Sequence, residues 1–291
     1  MKIGMTLPTM VPELNRALLL AWMRGIDQGP FSTLAAGERI AFPNQEMMVT
    51  MAAAAAVTER VRLAFTLVVL PMHSTLLMAK QLATMDVLSA GRVTVGIGVG
   101  GREEDYRAAG APFTKRLGRM EEQVALMRRV WSGESVMPDM APIGPAPVQA
   151  GGPEILAGSL VASSIRRAAR YTDGLCSFSF APDPAEVGMA FDVAREAWRA
   201  QGRKRPPRLV TSCWFALGKD SRAQMDVYVK RYLGFFGAEA AASMAMLCST
   251  ISADKLREVV ARIADHGADE LILVPTTSDP AELGRVADIV G

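Results

Sequence analysis

Short apolar runs alternate with segments of helical period along all 291 residues. Apolar, β-branched stretches at 3–7, 31–36, 61–69, 93–99, 154–157, 174–180, 209–216 and 270–274 predict eight strands. They lack a polar face, as strands covered on both sides of a parallel sheet should. Between them, Leu117, Met120, Val124, Met127 and Trp131 share one helical face, and Leu256, Val259, Val260 and Ile263 repeat the pattern. Asp183-Pro184-Ala185-Glu186 and Asp279-Pro280-Ala281-Glu282 each present an Asp cap, a proline in the first turn and a Glu soon after, the signature of a helix start. Gly91 and Gly267 fall where helices should stop. The alternation predicts an α/β fold, a single-domain (β/α)8 TIM barrel over residues 1–291. A doubly wound sheet is the competing architecture, but it puts its glycine-rich turn after the first strand, and here the glycines follow the fourth. Two stretches break the rhythm. Residues 133–153 read as an irregular insertion, and 232–251 should carry an extra helix.

Composition narrows the function classes. Half the residues are apolar, enough for one large core. With 32 basic and 30 acidic side chains the net charge is +2, which asks for neither nucleic acid nor an anionic membrane as partner. The apolar run at 51–57 is too short to span a bilayer, and MKIGMTLP lacks the basic-apolar-small order of a secretory signal, so a cytoplasmic location is expected. Cys176, Cys213 and Cys248 are far apart and odd in number, which suits small buried hydrophobes rather than a disulfide framework. The only histidines are His73 and His266, too few for a histidine-based metal site.

Chemistry concentrates after the fourth strand. Gly96, Gly98, Gly100 and Gly101 leave the backbone bare at its carboxyl end, where parallel α/β folds place ligands. Gly96, Gly98 and Gly101 also spell GxGxxG, but clear helical period resumes only near Thr114, too late for a dinucleotide pyrophosphate to meet a helix N-terminus. The expectation is instead a planar ring lying on main chain at the barrel mouth, with 102–106 as a charged wall. Glu38 and Arg39 end the second strand; they form either a solvated pair or a ring-edge acid and an anion-binding cation. His73 reads as a polar loop residue or an acid–base group, and His266 as structural. Gly158-Ser159 precede a helix and could seat a phosphate. Ser252-x-x-Lys255 has the spacing of an acyl-transfer motif but sits like a helix cap, and no GxSxG or Walker A occurs.

Four ordered blocks carry a family resemblance: GERIAFPN at 37–44, the long stretch VTERVRLAFTLVVLPMHSTLLMAKQLATMDVLSAGRVTVGIGVGGREEDYRAAGAPF at 57–113, PAPVQAGGPEILAGS at 145–159, and RRAARYTDGL at 166–175. Together they resemble the bacterial luciferase-like family of flavin- and deazaflavin-dependent oxidoreductases, and look closest to members that use coenzyme F420; other relatives use FMN. The resemblance implies a barrel with the cofactor ring at the carboxyl ends of the strands. It implies a non-prolyl cis peptide behind the ring at Thr66-Leu67, ring contacts from Gly98, Val99 and Gly100, and tail-phosphate contacts from Gly158, Ser159 and Leu160. Glu38 falls at the ring edge as the catalytic candidate, where relatives carry an Asp-His pair. This departure puts a sugar-phosphate substrate in doubt. Thr9, Arg39 and Phe178 are the substrate-side candidates. The expected activity is hydride transfer between F420 and a small organic substrate by a homodimer. The alternatives are an FMN-dependent monooxygenase with a separate reductase, and a non-catalytic barrel that binds a flavin or deazaflavin.

Overall fold

A computed structural model describes all 291 residues. Eight parallel strands close into one barrel in sequence order: β1 (Lys2–Thr6), β2 (Thr33–Ala36), β3 (Arg62–Val69), β4 (Val93–Gly98), β5 (Glu154–Ala157), β6 (Gly174–Phe178), β7 (Arg208–Phe215) and β8 (Glu270–Pro275). The ring is completed by β8 pairing with β1 through Lys2 and Glu270. Closure rules out the doubly wound alternative. The helices wrap the outside: α1 (Arg16–Gln28), α2 (Met47–Val57), α3 (Thr75–Leu88), α4 (Glu103–Ala108), α5 (Arg116–Trp131), α6 (Ala162–Ala168), α7 (Pro184–Ala200), α8 (Ser221–Tyr232), α9 (Ala238–Leu247), α10 (Ala253–Asp265) and α11 (Ala281–Val290). None is long and apolar enough to cross a membrane.

Strand limits fall within about two residues of the expected ones, an ordinary disagreement at element ends. The insertion after α5 holds neither helix nor strand between 132 and 153. The 232–251 stretch carries a 3-10 turn (Gly234–Phe236) and α9. The charged run after β4, expected as a wall of the site, forms the start of α4 with Arg102 at its N-cap; six residues are too few to show a period. Asp183 caps α7 by accepting from the Ala185 N–H at 2.9 Å. The Ser252 hydroxyl accepts from the Lys255 N–H at 3.3 Å, and Lys255 pairs with Glu258, so that motif is a helix cap. His266 closes α10 and packs where a Cβ on Gly188 would stand, a structural position.

Side chains alternate along each strand. Outward residues such as Met5, Leu34, Phe65, Val95, Leu175 and Leu273 join the main core against the helices. Inward residues stack in layers. At the amino-terminal end, Arg208 donates to Glu154 and, at 2.6 Å, to Glu270, while the Ser32 and Thr33 hydroxyls also donate to Glu270. Arg62 donates to Thr94 at 3.0 Å in the same layer. Burial would lower the Arg208 pKa, but Glu154 and Glu270 override it and hold the guanidinium above its ordinary value. Above lie Ala35, Ala64, Leu156, Cys176, Val210 and Ile272, with only about 10 Å³ left free between the two layers. The lower barrel is therefore plugged, and its upper end is where space remains.

Arg208→Met should destabilise the fold by about 3–5 kcal/mol in urea unfolding, because it leaves Glu270, 1% exposed, as an unpaired buried charge. A change under 1 kcal/mol, on the same scale, would mean that the layer does not depend on charge pairing. All three cysteines are buried; burial pushes Cys176 and Cys213 up to about 12 and Cys248 up to about 11. A thiol-disulfide reagent at mildly alkaline pH should therefore label none of them until the chain unfolds.

Candidate active site

A cavity of about 400 Å³ opens at the carboxyl ends of the strands, and all eight strands or the loops that follow them contribute to its wall. Its floor continues the inward alternation by one more step: Thr6, Thr66, Gly98, Phe178, Ser212 and Val274 line it. The two halves of the wall differ. From β2 to β5 the wall is largely main chain and small side chains, with Gly37, Thr66, Leu67, Gly98, Gly100 and Gly158. From β6 to β8 and α8 it is aromatic, with Phe178, Phe180, Trp214, Tyr228 and Tyr232.

The bare half is tightly specified. The Thr66-Leu67 peptide is cis and non-prolyl, and the register between β3 and β4 shifts between Phe65 and Val68. Leu67 then lies across its neighbours. A Cβ on Gly98 would stand 2.9 Å from its methyls, and one on Gly158 would stand 2.2 Å from one of them. These two glycines make room for Leu67, expected behind the ring, whose side chain forms the surface of the shelf. Gly100 has φ +60°, and a Cβ there would also meet Val69 at 2.7 Å.

Hydrogen bonds hold the shelf from behind. Glu38, 7% exposed, accepts from the Val69 N–H at 2.7 Å with one carboxylate oxygen and faces His73 Nε2 at 2.8 Å with the other. Gln123 of α5 donates to the Leu70 and His73 carbonyls. Tyr106 donates to the Val99 carbonyl and Arg116 to the Gly100 carbonyl, both at 2.6 Å. Burial, more than any neighbouring charge, raises the Tyr106 pKa, so this phenol stays a donor.

Of the residues expected at the site, Thr9, Glu38, Thr66, Leu67, Gly98, Val99, Gly100, Gly158 and Phe178 line the cavity. Ser159 and Leu160 lie just beyond Gly158, outside that lining, and the Ser159 hydroxyl accepts from the Val161 N–H at 3.1 Å. Arg39 departs from expectation. It is 6% exposed behind the wall, 3.4 Å from Glu104, and stacked 4.3 Å over the Phe42 ring, so its guanidinium is occupied in tying the β2 loop to α4. Burial, and then the neighbouring Arg102, lower its pKa. His73 joins Glu38 from another loop, a contact no local motif announced. Sequence reading also missed Thr6, Ser212, Trp214, Tyr228 and Tyr232. Two-residue alternation could have found the first three, and the four-residue spacing of the two tyrosines, whose rings stack at 6.0 Å, hinted at the others.

An (α/β) barrel with a plugged base and an open, carboxyl-end cavity is the architecture in which this fold carries its active sites. The chain belongs to the luciferase-like monooxygenase family, whose model matches residues 1–285; it is thus placed among oxidoreductases. A 170-residue stretch is 32% identical to an uncharacterised protein of Mycobacterium tuberculosis strain H37Rv, covering 56% of this chain and 59% of that one. The chain therefore spans less than two thirds of that relative's length. Among solved structures, it is similar to an F420-dependent secondary alcohol dehydrogenase in complex with an F420-acetone adduct, with TM-score 0.77 and 15% identity over 99% of this chain and 98% of that one. It is also similar to the oxygenating constituent of 3,6-diketocamphane monooxygenase of Pseudomonas putida in complex with FMN, with TM-score 0.72 and 16% identity over 99% and 95%. At these identities the two likenesses concern the fold.

Glu38→Ala should lower stability by about 1–3 kcal/mol in urea unfolding, since it strands the buried Val69 N–H. His73→Ala should cost less, because its ring is 22% exposed and water can replace it. Equal losses from the two would show that the carboxylate is not the anchor.

Proposed function

We propose that the protein is an oxidoreductase that transfers hydride between coenzyme F420 and a small organic substrate. The observation that carries this reading is the division of the cavity. A flat shelf of Leu67 and main chain faces an aromatic arc across a volume typical of ligand pockets. Thr6 and Thr9 line that space, and their buried Oγ1 atoms have no partner in the protein. Buried polar groups ordinarily have a partner, so both suit a ligand with polar atoms.

These features fit a planar deazaflavin ring, which when bound supplies the hydride chemistry. Leu67 and the Gly98-Val99-Gly100 backbone would support the ring, with Thr66 beside it. Gly158, followed by Ser159 and Leu160, would take the phosphate-bearing tail. Glu38 is the sole carboxylate in the cavity lining and would hold or release the proton that accompanies hydride transfer. Its Oε1 faces His73 Nε2, which gives that proton a partner outside the cavity lining. The aromatic arc excludes water from the opposite side. FMN would fit the same shelf, and the fold neighbour that holds FMN keeps an oxygenase, served by a separate reductase, as the second reading.

Titration with F420 and with FMN, followed by tryptophan fluorescence, tests the assignment. F420 should bind and FMN should bind more weakly. The reverse order would support the oxygenase, binding of either without turnover would favour a carrier, and binding of neither would overturn the coenzyme seat. Gly98→Val should abolish coenzyme binding while the fold survives, because the added methyls push Leu67 off its shelf. Ser159→Asp should weaken binding through repulsion of the tail phosphate. An unchanged dissociation constant would take the tail away from that position.

A further inference from the structure

At the rim of the cavity one cation has no counter-ion. Only two of the lining residues, Glu38 and Arg102, are acidic or basic. Glu38 is held by the Val69 N–H and His73. Arg102 makes neither a hydrogen bond nor a salt bridge to the rest of the chain; its guanidinium lies on ring faces, 4.2 Å from the Phe235 centroid and 5.1 Å from that of Tyr232. Its Nε is buried there without a partner, while the two terminal amino groups, equally unpaired, are not enclosed. Ring faces hold a cation without using its N–H groups, so the planar fork stays free for an acceptor.

The surroundings supply no internal partner. Of the carboxylates on α4, Glu104 faces Arg39 at 3.4 Å, and Asp105 Oδ1 accepts from the Ile40 and Ala41 N–H groups. Glu103 is exposed and pairs with no cation. Arg39 lies over the same two rings as Arg102, 5.7 Å from Tyr232 and 6.0 Å from Phe235, so two guanidiniums converge there. After burial, the nearness of Arg102 is what most depresses the Arg39 pKa. An anion at this place would offset that repulsion. Phe235 belongs to the 3-10 turn and is 40% exposed, so the free cation stands at the mouth of the cavity and not in its depth.

We infer that Arg102 is an anion anchor and that the substrate is an organic anion, its carboxylate or phosphate paired with the guanidinium at the rim and its apolar body lying inward along the aromatic arc. The inference rests on the reading of the shelf as a coenzyme seat and adds the substrate class to it. Position separates this anion from the coenzyme's own. The tail phosphate is proposed at Gly158 to Leu160, after β5, whereas Arg102 follows β4 and leans on the end of α8 and the turn beyond it. An arginine fork takes a carboxylate or phosphate through two parallel N–H bonds, which orients the ligand as well as holding it. Phe178, Phe180 and Trp214 further along the arc offer no second charge, so the anionic end is fixed at the rim.

The test titrates benzoate, phenyl phosphate and the uncharged isostere benzamide calorimetrically into the full-length protein, without and with saturating F420. At least one of the two anions should bind at least about tenfold more tightly than benzamide. Arg102→Met should remove that preference, weakening the anion about tenfold and benzamide less than about twofold, and Arg102→Lys should keep part of it. Arg107→Met, which removes the same charge from an exposed position of α4 outside the lining, should leave the preference intact. No preference for either anion in the unaltered protein, or one that survives Arg102→Met or is lost equally in Arg107→Met, would overturn the anchor. An F420 affinity that falls about tenfold in Arg102→Met, with F420 displacing the anions, would give the guanidinium to the coenzyme tail and overturn the substrate class. F420 binding without an anion preference would sink this inference and leave the redox reading standing. An anion preference that follows Arg102, without F420 binding, would do the reverse.

Discussion

A closed barrel of eight parallel strands has an interior that must be filled, and the way it is filled decides where chemistry can occur. Here the filling is uneven along the axis. The amino-terminal end is plugged by Arg208 between Glu154 and Glu270, and a tight layer around Ala35, Ala64 and Ile272 follows. Buried ion pairs are costly unless each lone pair and proton is matched, and the Ser32 and Thr33 hydroxyls supply the further donors that Glu270 needs. With the base closed in this way, no opening competes with the carboxyl end. The place of the carboxyl-end cavity is thus fixed by packing before any catalytic residue is considered.

The shelf depends in turn on a single carboxylate. Glu38 reaches from just past β2 to the Val69 N–H, two residues beyond Leu67, and to His73, so it pins the segment that carries the shelf. Tyr106 and Arg116 hold the glycine run from its carbonyl side. A site this rich in glycine would otherwise lose much backbone entropy on ordering. The surrounding side chains act as external struts, leaving the cavity side free of bulk. The same carboxylate that braces the shelf also borders the cavity, so its structural and chemical roles cannot be varied independently.

The barrel and its order of strands were legible because apolar runs and helical periods report burial locally, as at 93–99 and 117–131. The glycine mouth was legible for the same reason, since Gly98, Gly100 and Gly158 mark the strand ends. What stayed hidden depends on contacts between distant segments. Nothing near Arg39 shows that Phe42, Glu104 and the Tyr232 carbonyl will enclose it. Nothing near Glu38 shows that His73 will face it across 35 positions. The meaning of Gly98 also changed with tertiary context: space that looked reserved for a ligand is taken first by Leu67.

The asymmetry of the cavity is where fold and chemistry meet. A strand ending in glycine can support a flat group closely but offers it little selectivity, since backbone is the same in every protein. Selectivity must then come from the other side, where β6, β7 and α8 bring large side chains. These include Tyr228, whose burial raises its pKa and keeps its phenol neutral. Separating the two tasks lets a support of main chain coexist with a wall set by this chain's own aromatic residues. Family membership therefore places the chain among oxidoreductases, while in the proposed reading the arc around Trp214 would select what is acted upon.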